Sequence, residues 1–173
     1  NAAIAGVRKM VDLARERDVA IVFTELIRDD ARGAIEERHC IKPRKWSASG
    51  RRLVRGTWGA QLVDECRPSP DDIVIRKYGY SAFEGTELEH LLRERGITTV
   101  VVCGVVTYAC VLATAFSAFD KGFDVCLVTD AVGSWSDDLG GSAAEIVELI
   151  IGRAVEAAHL TFTPITNQQN SFS

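Results

Sequence analysis

The chain has 173 residues and a formal net charge of -4, with 47% hydrophobic and 25% charged residues. That length is one domain able to bury a single sizeable core. A net negative balance without a basic stripe interleaved by aromatics argues against a nucleic-acid partner. No apolar run is long enough to cross a bilayer and no signal peptide is seen, so no membrane partner is expected.

In chain order, residues 1–17 read as a helix, with Ile4, Val7, Val11, Leu13 and Ala14 on one apolar face at spacings of three and four. Asn1 stands at its N-cap. Residues 19–23 follow as a strand. Residues 29–56 are polar, with Gly33, Pro43, Ser47, Ser49 and Gly50, and read as a long loop of the kind that serves function. Arg51, Arg52 and Arg55 lie there beside Lys42, Arg44 and Lys45, a local basic patch best read as a solvated loop. A short helix is predicted from Gly56-Thr57 through Cys66, ended by Pro68-Ser69-Pro70. Residues 73–75 form a short strand that delivers Arg76 and Lys77 at its carboxyl end.

Residues 84–94 are predicted as a helix ending at Gly96. Residues 98–103, Thr-Thr-Val-Val-Val-Cys, are an uninterrupted β-rich run suited to a parallel strand covered on both faces. A turn at residues 104–107 leads to a helix carrying Cys110 in its first turn, and residues 124–129 form a second buried strand, completing a βαβ unit. Residues 133–141 read as loop, Ser142 as the cap of a helix running to about Ala157, and residues 160–163 as a last strand. Strands alternating with helices predict an α/β fold with a mostly parallel, Rossmann-like sheet in three α/β/α layers. The domain is placed at residues 1–165, with residues 166–173 as a polar tail.

The five cysteines, Cys40, Cys66, Cys103, Cys110 and Cys126, are odd in number and lack any CxxC pair. A disulfide framework or thiolate metal site is not expected, and a reducing, cytoplasmic location fits better. Cys110 lies where a strand's carboxyl end meets a helix's amino end, the place where open α/β sheets put ligands. The helix end favours a thiolate there, and its free N–H groups suit an oxyanion. The other four cysteines read as inert, with Cys103 and Cys126 inside strands. Lys77 ends a strand on the same sheet edge, where its ammonium would stabilise that thiolate and shuttle its proton.

The segment Lys77-Tyr78-Gly79-Tyr80-Ser81-Ala82-Phe83 with Thr86, then Val102-Cys103-Gly104-Val105-Val106-Thr107-Tyr108-Ala109-Cys110-Val111, then Val128-Thr129-Asp130-Ala131, resembles the isochorismatase-like cysteine hydrolases. That family includes nicotinamidases, N-carbamoylsarcosine amidases and ureidoacrylate amidases. The resemblance runs from the first helix to about residue 160. It implies that Cys110 is the nucleophile and Lys77 the triad lysine. It also implies a cis peptide between Val105 and Val106, with the Val106 and Cys110 N–H groups as the oxyanion hole.

The triad aspartate of that family sits on a strand preceding the first helix, and no residue here occupies its place. Asp12, Asp18 and Glu25 fall on other elements. The expectation is therefore that a leading strand carrying the acid belongs to a longer protein, since the family's first strand is central in its sheet. No metal and no cofactor are expected. His39, His90 and His159 lack the Asp-x-His pairing of metal-holding relatives and read as solvated or capping residues.

Tyr80 and Tyr108 are the expected substrate-binding residues, beside Lys77 and Cys110. Trp46, Trp58 and Trp135 are further candidates for pocket walls, Phe83 is read as core, and Asp130 as a structural hydrogen-bonding group. The expected activity is hydrolysis of a small amide, ureido or carbamoyl compound through a thioester. The alternatives are hydrolysis of a vinyl ether, as in isochorismatase itself, and a non-catalytic binding or assembly module. Family members commonly associate, so a homo-oligomer is expected, with the apolar helix at residues 143–157 as a possible interface.

Overall fold

The computed structural model describes residues 2–28 and 53–162. Cys40, His39, Trp46, the basic cluster from Lys42 to Arg52 and the tail at 166–173 lie outside the described residues.

Two parallel sheets carry the fold. Strand β1 (Val22–Leu26) pairs with β2 (Ile73–Lys77), placing Leu26 opposite Lys77. Strand β3 (Thr99–Val105) pairs with β4 (Asp124–Gly133), which pairs in turn with β5 (Arg153–Val155). Among the described residues no strand joins β1 to β3. A cavity of about 3030 Å³ separates the two sheets and is lined by residues of both strands, including Phe23, Thr24, Val101 and Cys103.

Helices hold the halves together across that gap, because apolar side chains on both faces need covers. On one face lies helix α1 (Ala2–Glu16), whose Val7 packs both against the Phe23 and Cys66 cluster and against the Val128 cluster that includes Val101 and Cys103. Gly6 lets α1 settle on β4: a Cβ there would lie 2.0 Å from the Asp130 carbonyl oxygen. On the other face, α2 (Leu88–Glu94), α3 (Leu112–Asp120) and α4 (Asp137–Ile146) flank the sheet, with Phe83, Leu88, Leu92, Val111, Ala115 and Val147 in one core with Ile75, Val125 and Leu127. Strand β4 shows the period-two consequence: Val125 and Leu127 face this core while Val128 faces α1.

Several boundaries differ from the sequence reading. The strand expected at 19–23 is β1 at Val22–Leu26, after a turn in which Asp18 has φ 54°. The helix expected through Cys66 is two separate 3-10 turns, Trp58–Ala60 and Asp64–Cys66. Helix α2 starts at Leu88 rather than at residue 84. Ser136, not Ser142, caps α4: its side chain accepts a hydrogen bond from the Leu139 N–H, so half of the expected 133–141 loop is helix. Beyond α4 a π-helical turn, Val147–Ile151, ends at Gly152. The last strand is Arg153–Val155 instead of residues 160–163, with a 3-10 turn at Ala157–His159 between them. Gly152 explains the early stop, since a Cβ there would come 2.1 Å from the Val125 carbonyl oxygen.

Candidate active site

The site forms where the carboxyl ends of β2 and β3 converge. Strand β3 bends at a register shift between Val102 and Gly104, where Gly104 adopts φ +114° and so meets a demand that residues with a Cβ rarely satisfy. The Val105–Val106 peptide is cis. The chain then enters a π-helical turn, Thr107–Val111, that runs into α3 and carries Cys110. Single π turns inside helices are rare and recur at functional sites. The Ala109 and Val111 N–H groups, on either side of Cys110, both donate to the Val106 carbonyl, at 3.0 and 3.2 Å.

Lys77 ends β2 and is only 3% exposed. An ammonium so buried must have its donors satisfied. It donates to the Gly79 carbonyl at 2.9 Å and the Tyr80 carbonyl at 2.8 Å, and it lies near enough to Cys110 for that side chain to act on its charge. Burial pulls the Lys77 amine below its ordinary range, and Cys110 opposes that fall through charge and hydrogen bonding. The sequence placed Lys77 and Cys110 on one sheet edge, and in the structure the two lie within electrostatic reach of each other. The two carbonyl acceptors went unread, as main-chain groups leave no residue-type signal.

Around this pair, Tyr80, Tyr108, Trp58 and Trp135 all border the cavity. The tryptophans are 88% and 78% exposed. Phe83 is core, stacked on Phe123 with ring centroids 5.7 Å apart. The loop after Lys77 is tied to α3 by hydroxyl groups. Ala82 N–H donates to Thr114 Oγ1 at 3.0 Å, Thr114 Oγ1 donates to the Cys110 carbonyl at 2.7 Å, and Ser81 Oγ donates to Ser117 Oγ at 2.8 Å.

The remaining candidates lie elsewhere. Asp130 accepts from the Ala157 N–H at 2.8 Å and faces Lys9 at 3.9 Å, a structural position. Asp12 pairs with Arg8 and Glu25 with Arg76. His90 faces Glu94 on the surface of α2, and His159 is exposed in its 3-10 turn. Among the described residues no group of three His, Cys, Asp or Glu side chains is placed to hold a metal ion. Cys66 and Cys126 are buried and their thiols are pushed up by that burial, and the thiol of Cys103, on β3, is pushed up to about 11. None of the helices among the described residues is long and apolar enough to cross a membrane.

Fold and site together define an α/β protein whose candidate centre brings a thiol and a buried ammonium to the carboxyl edge of parallel strands. The chain belongs to the isochorismatase family, whose domain profile matches residues 1–158. It is 34% identical over 119 residues to ureidoacrylate amidohydrolase RutB of Pseudomonas savastanoi pv. phaseolicola, covering 67% of this chain and 49% of that protein. The chain thus spans about half the length of this curated relative.

Among solved structures it is similar to N-carbamoylsarcosine amidase from Thermoplasma acidophilum, with TM-score 0.78, 26% identity and coverage of 94% of this chain and 86% of that one. It is also similar to the pyrazinamidase of Pyrococcus horikoshii solved in complex with zinc, with TM-score 0.77, 31% identity and coverage of 89% and 84%.

Proposed function

We propose that this chain carries the chemistry of a cysteine-dependent amidohydrolase that cleaves a C–N bond in a small amide, ureido or carbamoyl compound. The observation that carries this reading is the Lys77 ammonium, buried and held by two carbonyls within electrostatic reach of Cys110 in the π turn that opens the following helix. The names of the relatives, which act on ureidoacrylate, N-carbamoylsarcosine and pyrazinamide, share a carbonyl carbon bound to nitrogen, and support the substrate class.

In the proposed reaction the Cys110 thiolate attacks that carbonyl and a C–S bond forms. The oxyanion is received by the N–H groups of Val106 and Cys110. The tetrahedral species then collapses, the C–N bond breaks, and the leaving nitrogen takes a proton from a general acid. By resemblance that acid is an aspartate on a strand before α1, and the cavity between β1 and β3 lies where such a strand would run. Water then attacks the thioester, releasing the acid product and restoring the thiolate. Tyr80 and Tyr108 wall the substrate from their places beside the pair.

Two further parts of the reading are proposed with it. Leu139, Ile146, Leu149 and Ile150 are exposed along α4 and its π continuation, and support a homo-oligomer through that helix. Cys66, Cys103, Cys110 and Cys126 are all free thiols, which supports a cytoplasmic location.

The test is ammonia release from a panel of small amides, ureido and carbamoyl compounds, with mass spectrometry for a covalent adduct on Cys110. Turnover through an acyl adduct is expected. No ammonia release and no adduct from any of these compounds would favour vinyl ether hydrolysis, and Cys110 alkylation no faster than that of a free thiol would favour a non-catalytic module.

A further inference from the structure

Thr114 stands one α-helical turn beyond Cys110, and its hydroxyl does two things at once. It donates to the Cys110 carbonyl at 2.7 Å and accepts from the Ala82 N–H at 3.0 Å. Ala82 is two residues past Tyr80, whose carbonyl holds the Lys77 ammonium at 2.8 Å. These contacts run round most of a ring, from Lys77 to Tyr80, along the chain to Ala82 and through Thr114 to the Cys110 backbone, and the ring is completed by the influence of the Cys110 side chain on the Lys77 charge. Ser117, three residues on, adds a second tie by accepting from Ser81 Oγ at 2.8 Å, and Ser81 Oγ in turn accepts from the Phe83 N–H at 3.1 Å.

From this ring we propose that Thr114 is a positioning residue that fixes where the Cys110 thiolate sits relative to the Lys77 ammonium. Only a hydroxyl suits the place, because one small group must donate to a carbonyl and accept from an N–H; valine matches threonine in shape and can do neither. Ala82 is 2% exposed, so its N–H depends on Thr114 rather than on water. The hydroxyl also steadies the π-helical turn, since the Cys110 carbonyl it binds belongs to that turn. The assignment rests on Cys110 being the nucleophile.

The test compares the wild-type chain with Thr114→Val and Thr114→Ser. Each is alkylated with iodoacetamide at pH 7 and followed cysteine by cysteine through peptide mass spectrometry. Valine loses both hydrogen bonds, and either one alone corresponds to a change of about fivefold. Thr114→Val is therefore expected to slow Cys110 at least about fivefold while Cys66 and Cys126 stay protected, and Thr114→Ser to restore Cys110 to within about twofold of wild type.

Should the valine variant fail to fold, Thr114→Ala removes the hydroxyl without setting a methyl against the Ala82 N–H. An unchanged Cys110 rate in the valine or alanine variant overturns the proposal. So does a serine variant as slow as valine, or a rise at all cysteines together, which is the mark of loosened packing. Wild-type Cys110 no faster than free glutathione would instead sink the nucleophile reading itself, whatever Thr114 does.

Discussion

Lys77 donates its ammonium to two main-chain carbonyls: Gly79 and Tyr80 hold a cation that burial disfavours and that nearby Cys110 favours. Burial is the larger influence and lowers the amine from its ordinary 10.5. The folded state therefore releases this proton at a lower pH than the unfolded chain does. As pH rises through the lowered value, the ammonium and its attraction for an anion at Cys110 or on the substrate vanish together. The alkaline limb of kcat/KM is expected below pH 10.5, and a limb at or above that value would contradict the arrangement. Stability responds with the opposite sign: across the window between the lowered value and 10.5 the unfolded chain binds more protons, so this group's contribution rises with pH.

Replacing Cys110 by alanine removes the proposed nucleophile while leaving a half-buried site that tolerates the smaller side chain. Turnover should fall by at least about a thousandfold, with the unfolding midpoint in urea little changed. Amide hydrolysis persisting at more than a tenth of the wild-type rate would end the proposed mechanism.

Gly6 to alanine tests the seating of α1. The added Cβ meets the Asp130 carbonyl oxygen at 2.0 Å, and a strand carbonyl has nowhere to swing. The helix must lift from β4, at a cost of about 2–4 kcal/mol. Chemical denaturation showing a loss below about 0.5 kcal/mol would mean that α1 sits farther from the sheet.

Cys103 gives an alkaline signature of its own. Its thiol is raised from 9.0 to about 11, chiefly by burial, so the folded state keeps a proton that the unfolded chain gives up first. The stability this contributes is complete below pH 9 and is lost as pH climbs through 11, a change of at most about 3 kcal/mol. Cys103→Ala should flatten the fall in unfolding free energy over that window relative to wild type. Parallel pH curves for the two proteins would refute it.

Much of the architecture was readable because apolar runs announce buried strands. The stretch from Thr99 to Val102 and that from Val125 to Val128 could scarcely be anything else, and a lysine ending one strand with a cysteine following another predicted their meeting at one edge. What escaped was set by contacts invisible to residue type. Ser136 outranks Ser142 as a cap because its hydroxyl reaches the Leu139 N–H, and β5 begins at Arg153 because Gly152 passes against Val125. Thr114 reads as a helix-interior threonine until Ala82, distant in sequence, is seen to donate to it.

The parted sheet has a consequence for handling the molecule. The flanks of β1 and β3 that face each other present rows of amide hydrogens and carbonyl oxygens with no strand between them among the described residues. Such borders recruit any extended polypeptide nearby, including a neighbour's.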